Sequence, residues 1–184
     1  MTRTMWPRPA VALIGLIAVV LSAGCASGNG EATVMPLPLG GQGGPATTID
    51  TVDIGVPLGK NVTGYSVRLE CVSLVSEPSA VHLDSVFAYP PGPSIGLVTG
   101  NLIKGCPYDK TYPVTAAVVR PHAQMRWNVT IALTFAKPGR YDVRRVKISY
   151  VTNGHSGWQY QALNTTIAVS AARKGAKPQF TGCL

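Results

Sequence analysis

The sequence has few acidic residues. Eight Asp and Glu stand against sixteen Lys and Arg in 184 residues, so the formal net charge is +8. The acids are spread thinly, and only Asp50 and Asp53 lie close together in the sequence, which leaves little material for a pair of catalytic carboxylates. The Gly-x-Ser-x-Gly, His-Glu-x-x-His and glycine-rich phosphate-binding motifs are also absent. These absences predict a protein that is not an enzyme and carries no cofactor.

Histidine is scarce as well, with three residues in the chain. His82 and Asp84 would share one face of a strand, and we interpret them as a polar pair on the solvated side rather than as part of a catalytic site. His122 and Met125 carry ligand atoms that copper accepts, but a turn histidine and a core-edge methionine explain the spacing more simply. We therefore predict no catalytic residue and no metal site.

Helical periodicity is missing after the first 24 residues. No stretch repeats apolar residues at intervals of three and four over several turns, so we expect little or no helix. Short alternating segments occur instead over 64–74, 80–89, 114–120 and 158–169. In the first of these, one face would carry Tyr65, Val67, Leu69 and Cys71.

The clearest strand signal runs from Trp127 to Tyr150. Its first half places apolar side chains at odd numbers: Trp127, Val129, Ile131, Leu133 and Phe135. A Pro138-Gly139 turn follows, in the order that a type II turn favours. Beyond the turn, the apolar positions change from odd at Val143 to even at Val146, which predicts a β-bulge at Arg144–Arg145. Asn153-Gly154 then signals a tight hairpin turn.

These segments together predict an all-β fold. About seven or eight short strands, with turns every 8–12 residues or so, are typical of an antiparallel β-sandwich. Gly139-Arg140-Tyr141-Asp142-Val143 resembles the start of a late strand in immunoglobulin-like domains, where a tyrosine closes a corner. The resemblance implies an immunoglobulin-like arrangement of the strands, which we place over residues 50–184.

The first 24 residues have the three parts of a secretory signal: Arg3 and Arg8 without acids, an apolar run over 10–21, and small residues before Cys25. The apolar run is shorter than the about 20 residues that a spanning helix needs. Leu21-Ser22-Ala23-Gly24-Cys25 resembles the lipobox of bacterial lipoproteins, with Ser22 where the family prefers a large aliphatic residue. The resemblance implies cleavage before Cys25, two acyl chains on that cysteine, and anchoring on the extracytoplasmic face of the cell membrane.

The stretch over 25–49 is rich in glycine and proline, and we expect a flexible tether that lifts the domain some 25–30 Å from the lipid. Removal of residues 1–24 leaves fourteen basic and eight acidic residues, a net charge of +6. The lipobox, the Pro138-Gly139-x-Tyr141 turn and the hairpin between Tyr150 and Tyr160 are together similar to small secreted lipoproteins of actinobacteria. That resemblance implies a location rather than an activity.

Three cysteines are left once Cys25 is assigned to lipid. Outside the cytoplasm thiols tend to pair, so one of the three would remain over. We expect a Cys106–Cys183 disulfide, because both residues lie in loop-like, glycine-flanked sequence, with Cys71 buried and reduced in a strand. A Cys71–Cys106 pair is the alternative.

A basic cluster is the strongest candidate for a binding surface. It comprises Lys137, Arg140, Arg144, Arg145 and Lys147, with Asp142 as the one opposing acid. An ordinary solvated sheet face is the simpler interpretation, and a docking patch for lipid head groups, an acidic envelope protein or an envelope polymer is the functional one. We predict no nucleic-acid partner. Two functions follow from the sequence: a non-enzymatic binding or accessory module for another envelope component, or a carrier of a small ligand or metal in a pocket between the sheets.

Overall fold

The computed structural model describes residues 30–35, 42–76, 78–90, 97–99 and 111–177. These residues form two five-stranded sheets that pack face to face, with one short 3-10 turn at Val114–Ala116. The strands are β1 Gln42–Thr47, β2 Val52–Val56, β3 Val67–Leu74, β4 Val81–Tyr89, β5 Leu97–Thr99, β6 Tyr112–Pro113, β7 Val118–Val119, β8 Asn128–Phe135, β9 Gly139–Thr152 and β10 His155–Ser170. The predicted all-β sandwich is thereby confirmed.

The first sheet has the order β1-β10-β9-β3-β7, and we call it the β9 sheet. The second has the order β5-β2-β8-β4-β6, and we call it the β8 sheet. Neighbouring strands in both are antiparallel, apart from β1, which runs parallel to β10. The core between the sheets is built from the inward rows of β2, β3, β8, β9 and β10.

Strand β8 supplies the most regular part of that core. The odd-numbered residues that the sequence placed inward are all buried from Val129 to Phe135, each at 2% exposure or less. The period of two holds here because each Cα–Cβ bond of an extended strand points to the face opposite its neighbours. The inward row of this strand is confirmed, but the strand is not half-buried as its alternation predicts, because Thr130 and Ala132 on the opposite face are also buried, at 0% and 4% exposure.

The slip in the alternation of β9 is confirmed as well. Val143 and Val146 are both buried, and two exposed residues, Arg144 and Arg145, separate them. The pairing of β9 with β10 shifts register at the same point, where Leu163 and Asn164 lie opposite Arg144. Asn164 has a φ of 49°, a left-handed conformation that asparagine tolerates better than most residues. The irregularity keeps Val146 and Ile148 in the core.

Two of the predicted strands differ from the structure in detail. In β3 the pairing with β9 shifts register between Leu69 and Cys71, so Val72 becomes the next buried residue and Tyr65 lies exposed before the strand. The segment over 114–120, predicted as one strand, forms the 3-10 turn and the two-residue β7. A single strand would place Val114 and Val118 on one face, whereas the 3-10 turn changes the phase so that Val114 and Val119 are buried and Val118 is 46% exposed.

Of the two turns predicted from the sequence, the one at Asn153-Gly154 is confirmed and the one at Pro138-Gly139 is not. Asn153 and Gly154 have φ values of 49° and 74°, as a type I′ hairpin turn requires. Gly139, in contrast, does not have a positive φ, so the predicted type II turn is wrong. The reason for a glycine at that position is contact: a Cβ there would lie 3.3 Å from the ring of Tyr141.

Tyr141 closes the corner between β8 and β9. Its hydroxyl donates a hydrogen bond of 2.8 Å to the backbone oxygen of Lys137, and its ring packs on Phe135 with centroids 5.1 Å apart. The corner contact that the sequence resemblance implied is therefore present.

Tyr141→Phe keeps the ring and removes only this hydrogen bond. We expect a loss of about 1 kcal/mol in the free energy of unfolding, because the freed carbonyl is partly open to water. Urea unfolding of Tyr141→Phe beside Tyr65→Phe measures it. Tyr65 is 54% exposed, so its variant should match the parent. Equal losses in the two variants would show that the corner bond contributes nothing specific.

The start of the described chain packs on the domain, which corrects the expected tether over 25–49. Residues 30–35 lie along the edge of β10, where Ala32 N–H donates to Trp158 O (2.9 Å) and Trp158 N–H donates to Gly30 O (3.2 Å). Val34 and Met35 are buried in the core at 5% and 0% exposure. Further along, β1 pairs with the second half of β10. The folded unit thus begins before position 50, and its first segments are held by backbone pairing that the glycine-rich composition does not reveal.

A buried glutamine fixes the first of these segments. Gln159 Oε1 accepts hydrogen bonds from the N–H groups of Val34 and Met35 (3.0 and 3.1 Å), and its Nε2 donates to Met35 O (3.0 Å). Nearby, the Tyr150 hydroxyl donates to Ala32 O at 2.6 Å. Burial raises the pKa of Tyr150 above its ordinary value of 10.0, so the phenol stays protonated and remains a donor.

Cys71 is disulfide-bonded and half-buried, so the expectation of a reduced, buried thiol is wrong. Its position at the register shift of β3 turns it away from the inward row that the alternation assigned to it. Cys25, Cys106 and Cys183 lie outside the described residues, and the predicted Cys106–Cys183 pair lies there with them. No helix in the described part of the chain is long and apolar enough to cross a membrane.

Candidate binding face

The structure divides the predicted basic cluster into two pairs of cations, with Arg144 between them on β9 in an ion pair with Asp142. Arg145 and Lys147 point outward together from β9, because Val146 and Ile148 are fully buried on the inner face. Lys137 and Arg140 lie at the other end of the strand, by the β8–β9 turn. Seven residues of extended chain separate Arg140 from Lys147, a distance of about 23 Å. The five cations therefore do not form one patch.

Two aromatic side chains join Arg145 and Lys147 on the outer face of the β9 sheet. The Arg145 guanidinium lies 4.7 Å from the ring centre of Tyr160, and Lys147 Nζ lies 4.8 Å from that of Trp158. The two rings meet edge to face with centroids 5.0 Å apart. We call Arg145, Lys147, Trp158 and Tyr160 the cation–aromatic ladder. Each contact has the geometry of a favourable cation–π or aromatic pair.

The strand alternation explains why the rings point outward. Gln159, Gln161 and Leu163 face the core, so Trp158 and Tyr160 on the same strand must face away from it. Our sequence analysis missed both aromatics. The signal was available: a two-residue turn at Asn153–Gly154 fixes the hairpin register, and that register places Tyr160 directly opposite Lys147.

The neighbouring cations have acidic partners, and in the described chain the cations of the ladder do not. Arg144 lies 4.0 Å from Asp142, which also accepts a hydrogen bond from Thr166, and Arg68 lies 3.9 Å from Glu70. Within the described residues, Arg145 and Lys147 make no ion pair. Exposed pairs of the Arg144 type contribute little to stability. Among the described residues, the ladder presents two positive charges that have no acidic partner in ion-pair contact.

A groove of about 710 Å³ adjoins the ladder. It opens where β3 leaves the sheet, after a last long backbone bond of 3.4 Å from Val75 N–H to Arg145 O. Its lining combines apolar, aromatic, cationic and amide groups, among them Val81, Val143, Arg144, Arg145, Tyr160 and Asn164. A groove of this size and composition can accept a small anionic or polar molecule.

His82 and Asp84 lie on the solvated side as predicted but do not form the polar pair, and His122 and Met125 occupy a turn and the core. His82 is exposed on β4, and the Asp84 carboxylate accepts a hydrogen bond of 3.0 Å from Thr134 rather than pairing with His82. His122 lies in an exposed turn with a φ of 52°, whereas Met125 is buried in the core. In the part of the chain that the structure describes, no three His, Cys, Asp or Glu side chains converge as metal ligands do.

No protein-family model and no curated protein matches the chain. Among solved structures, the chain is similar to the VesB protease of Vibrio cholerae, with a TM-score of 0.39 and 9% identity over 74% of this chain. The chain spans 32% of that protein. A likeness this low carries no argument about fold or function.

Proposed function

We propose that the chain is a lipid-anchored lipoprotein of the bacterial cell envelope, and that its β-sandwich is a non-enzymatic binding or accessory module for another envelope component. The cation–aromatic ladder carries the binding part of this proposal. It gathers two unpaired cations and two aromatic side chains on one outer sheet face, and Tyr160 is 39% exposed there. Aromatic residues and arginine are the side chains most enriched at binding surfaces.

The location rests on the sequence of the first 25 residues. A basic start, an apolar run and a small-residue exit have the pattern of an export signal, and Leu21-Ser22-Ala23-Gly24-Cys25 resembles a lipobox apart from Ser22. Two acyl chains on one residue give stable anchoring, where one chain gives only marginal binding.

Metabolic labelling with an alkyne fatty acid tests the anchor. The parent should incorporate the label and fractionate with membranes, and Cys25→Ala should lose the label and leave the membrane fraction, because no acyl acceptor is left. Addition of an inhibitor of the lipoprotein signal peptidase should cause the precursor to accumulate. Equal labelling of Cys25→Ala and parent, or no precursor on inhibition, would refute the lipoprotein assignment.

Site-specific photo-crosslinking in cells tests the binding module. A photoreactive amino acid replaces Tyr160 in the ladder, and the matched control carries it at Tyr65, which is exposed but lies apart from the ladder. Capture and mass spectrometry should recover a component from the Tyr160 variant that is absent from the Tyr65 variant. Cys25→Ala in the same background subtracts mere membrane neighbours. Identical products at both positions would contradict a role for the ladder.

We further propose that the sandwich is immunoglobulin-like. Support comes from the strand order: β2, β8 and β4 lie together in one sheet as strands B, E and D do, and β3, β9 and β10 in the other as C, F and G do. The Tyr141 hydroxyl bond to Lys137 matches the tyrosine corner of that fold class. An experimental structure of the full sandwich, with all strands placed, tests this arrangement.

The groove supports a second candidate, a carrier of a small ligand. Its volume lies within the range of ligand pockets, roughly 300–1,000 Å³, and Arg145 and Asn164 supply polar groups at its wall. Native mass spectrometry of protein purified from its own host tests this function. A bound small molecule, lost on Arg145→Ala, would favour the carrier over the accessory module.

A further inference from the structure

We propose that the cation–aromatic ladder rests on the anionic phospholipid head groups of the membrane that anchors the chain, so that the domain lies against the bilayer instead of standing away from it. The inference rests on the proposed lipidation of Cys25, and it adds the partner of the ladder and the orientation of the domain.

The length of chain between the anchor and the domain limits how far they can separate. The first described residue, Gly30, is already paired with β10 through its carbonyl. It lies five residues after Cys25, and five residues span at most about 17 Å. A flexible tether running to position 49 would have allowed a larger separation between the lipid and the domain. The docking of residues 30–35 removes that freedom.

The anchored end of the chain meets the domain beside the ladder. The backbone of Gly30 to Ala32 forms its hydrogen bonds with Trp158, a member of the ladder. Glu31 and Trp158 are parallel partners, so Gly30 is the end of this segment that lies nearer the hairpin turn at Asn153–Gly154. Gly30 therefore lies at the same end of the β9 sheet as Trp158 and Lys147, and a lipid on Cys25, five residues earlier in the chain, would hold this end within reach of a bilayer that faces the ladder.

The chemistry of the ladder suits a bilayer surface. Tryptophan and tyrosine concentrate at membrane interfaces, where an apolar ring and a polar edge are both satisfied. A lysine or arginine at an anionic leaflet increases binding about fivefold. Arg145 and Lys147 are the cations of this region without an acidic partner in the described structure, whereas Glu70 and Asp142 lie near Arg68 and Arg144.

One acid opposes the contact, the exposed Glu31. Two cations against one acid make the ladder a weak binder by itself. The lipid anchor compensates, because it holds the ladder at a high effective concentration beside the membrane. We therefore expect a salt-sensitive equilibrium between two states of the domain. In the face-on state the ladder contacts the bilayer, and in the face-off state it does not.

Tryptophan fluorescence measures this equilibrium in the anchored protein. The lipoprotein, purified from membranes, is reconstituted into vesicles of phosphatidylcholine with or without phosphatidylglycerol, using brominated or ordinary acyl chains. The chain cleaved before Cys25 contains two tryptophans, Trp127 and Trp158. In the Trp127→Phe variant the emission reports Trp158, and in Trp158→Tyr, which keeps an interfacial aromatic residue in the ladder, it reports Trp127. We expect bromine to quench Trp158 well above Trp127, and more strongly when phosphatidylglycerol is present.

A matched pair of double variants isolates the charges. Arg145→Ala with Lys147→Ala, in the Trp127→Phe background, should lower the ratio of face-on to face-off molecules by about 25-fold. Lys137→Ala with Arg140→Ala removes the same charge from the far end of β9 and should leave the quenching unchanged. Comparison of brominated with ordinary vesicles corrects for any direct effect of Lys147 on Trp158 emission.

Equal quenching of Trp158 and Trp127, or equal quenching in the two double variants, would overturn the proposal. Mass spectrometry of the amino-terminal peptide separates this result from a failure of the proposed anchor. If the peptide carries no acyl groups, the lipoprotein assignment fails, and the same protein added to preformed vesicles tests the ladder alone. Quenching of Trp158 that depends on phosphatidylglycerol would then still support the ladder as a lipid-binding face, and its absence would refute it.

Discussion

Replacement of Gln159 with alanine should lower the free energy of unfolding by about 3 kcal/mol or more, because two N–H groups and one carbonyl lose their partner at once. These groups belong to Val34 and Met35, which are buried. A backbone group left unsatisfied in the interior costs about 1–3 kcal/mol, so we expect residues 30–35 to detach from β10. Detachment exposes Val34 and Met35, which adds a loss of hydrophobic stabilisation.

Urea unfolding under non-reducing conditions measures the loss, and limited proteolysis reports detachment as new cleavage within residues 30–41. Gln161→Ala is the matched control. Gln161 is also an inward glutamine of β10, but its one hydrogen bond runs to the neighbouring Ala162 carbonyl at 2.9 Å, so its removal should cost about 1 kcal/mol. Losses of the same size in both variants would mean that Gln159 does not hold the segment.

This prediction bears on the anchor as well as on stability. When residues 30–35 are released, the first residue held by the sheet becomes Gln42, which lies seventeen residues after Cys25 instead of five. The domain would then regain the reach of a flexible tether. Gln159→Ala should for that reason weaken the quenching of Trp158 in anionic vesicles even though Gln159 itself faces the core.

Gly157→Ala should be nearly as damaging, with an expected loss of about 3 kcal/mol. A Cβ at this position would lie 2.8–2.9 Å from three atoms of the Tyr150 ring, closer than real Cβ contacts allow. The ring is buried at 1% exposure and its hydroxyl is bound to Ala32 O. It can move only by breaking that bond and disturbing the core, and overpacking of this kind costs about 1–3 kcal/mol before the hydrogen bond is counted.

Gly64→Ala is the control for this substitution. Gly64 has no heavy atom within 4 Å of its would-be Cβ and does not have a positive φ. Alanine there should leave stability unchanged or raise it by a few tenths of a kcal/mol through the unfolded chain. Thermal or urea unfolding of the two variants, measured side by side, compares their free energies of unfolding. A Gly157→Ala protein as stable as Gly64→Ala would show that Tyr150 can be accommodated elsewhere.

The sequence by itself determined those features that depend on neighbours along the chain. The period of two in β8 set which side chains of that strand face the core between the sheets, since alternation is a property of extended backbone, although Thr130 and Ala132 on the other face are buried as well. The slip between Val143 and Val146 located the irregularity of β9 for the same reason, and Asn153-Gly154 specified the hairpin turn through its φ values. The outward pairing of Tyr160 with Lys147 was also within reach of the sequence, because a two-residue turn fixes register.

The tertiary structure decided what depends on residues far apart. Residues 30–35 are held by a glutamine 124 and 125 positions away, and β1 pairs through backbone groups that are not specific to any sequence, since every residue has a carbonyl and every residue except proline an N–H. A Cβ at Gly139 would lie 3.3 Å from the Tyr141 side chain, and one at Gly157 would lie 2.8 Å from the Tyr150 side chain. No local sequence pattern expresses this requirement. A glycine- and proline-rich segment therefore resembles a tether in sequence, whereas the sheet edge that accepts it exists only once β9 and β10 have folded. Because of that docking, the first described residue paired with Trp158 of the cation–aromatic ladder lies five residues after Cys25.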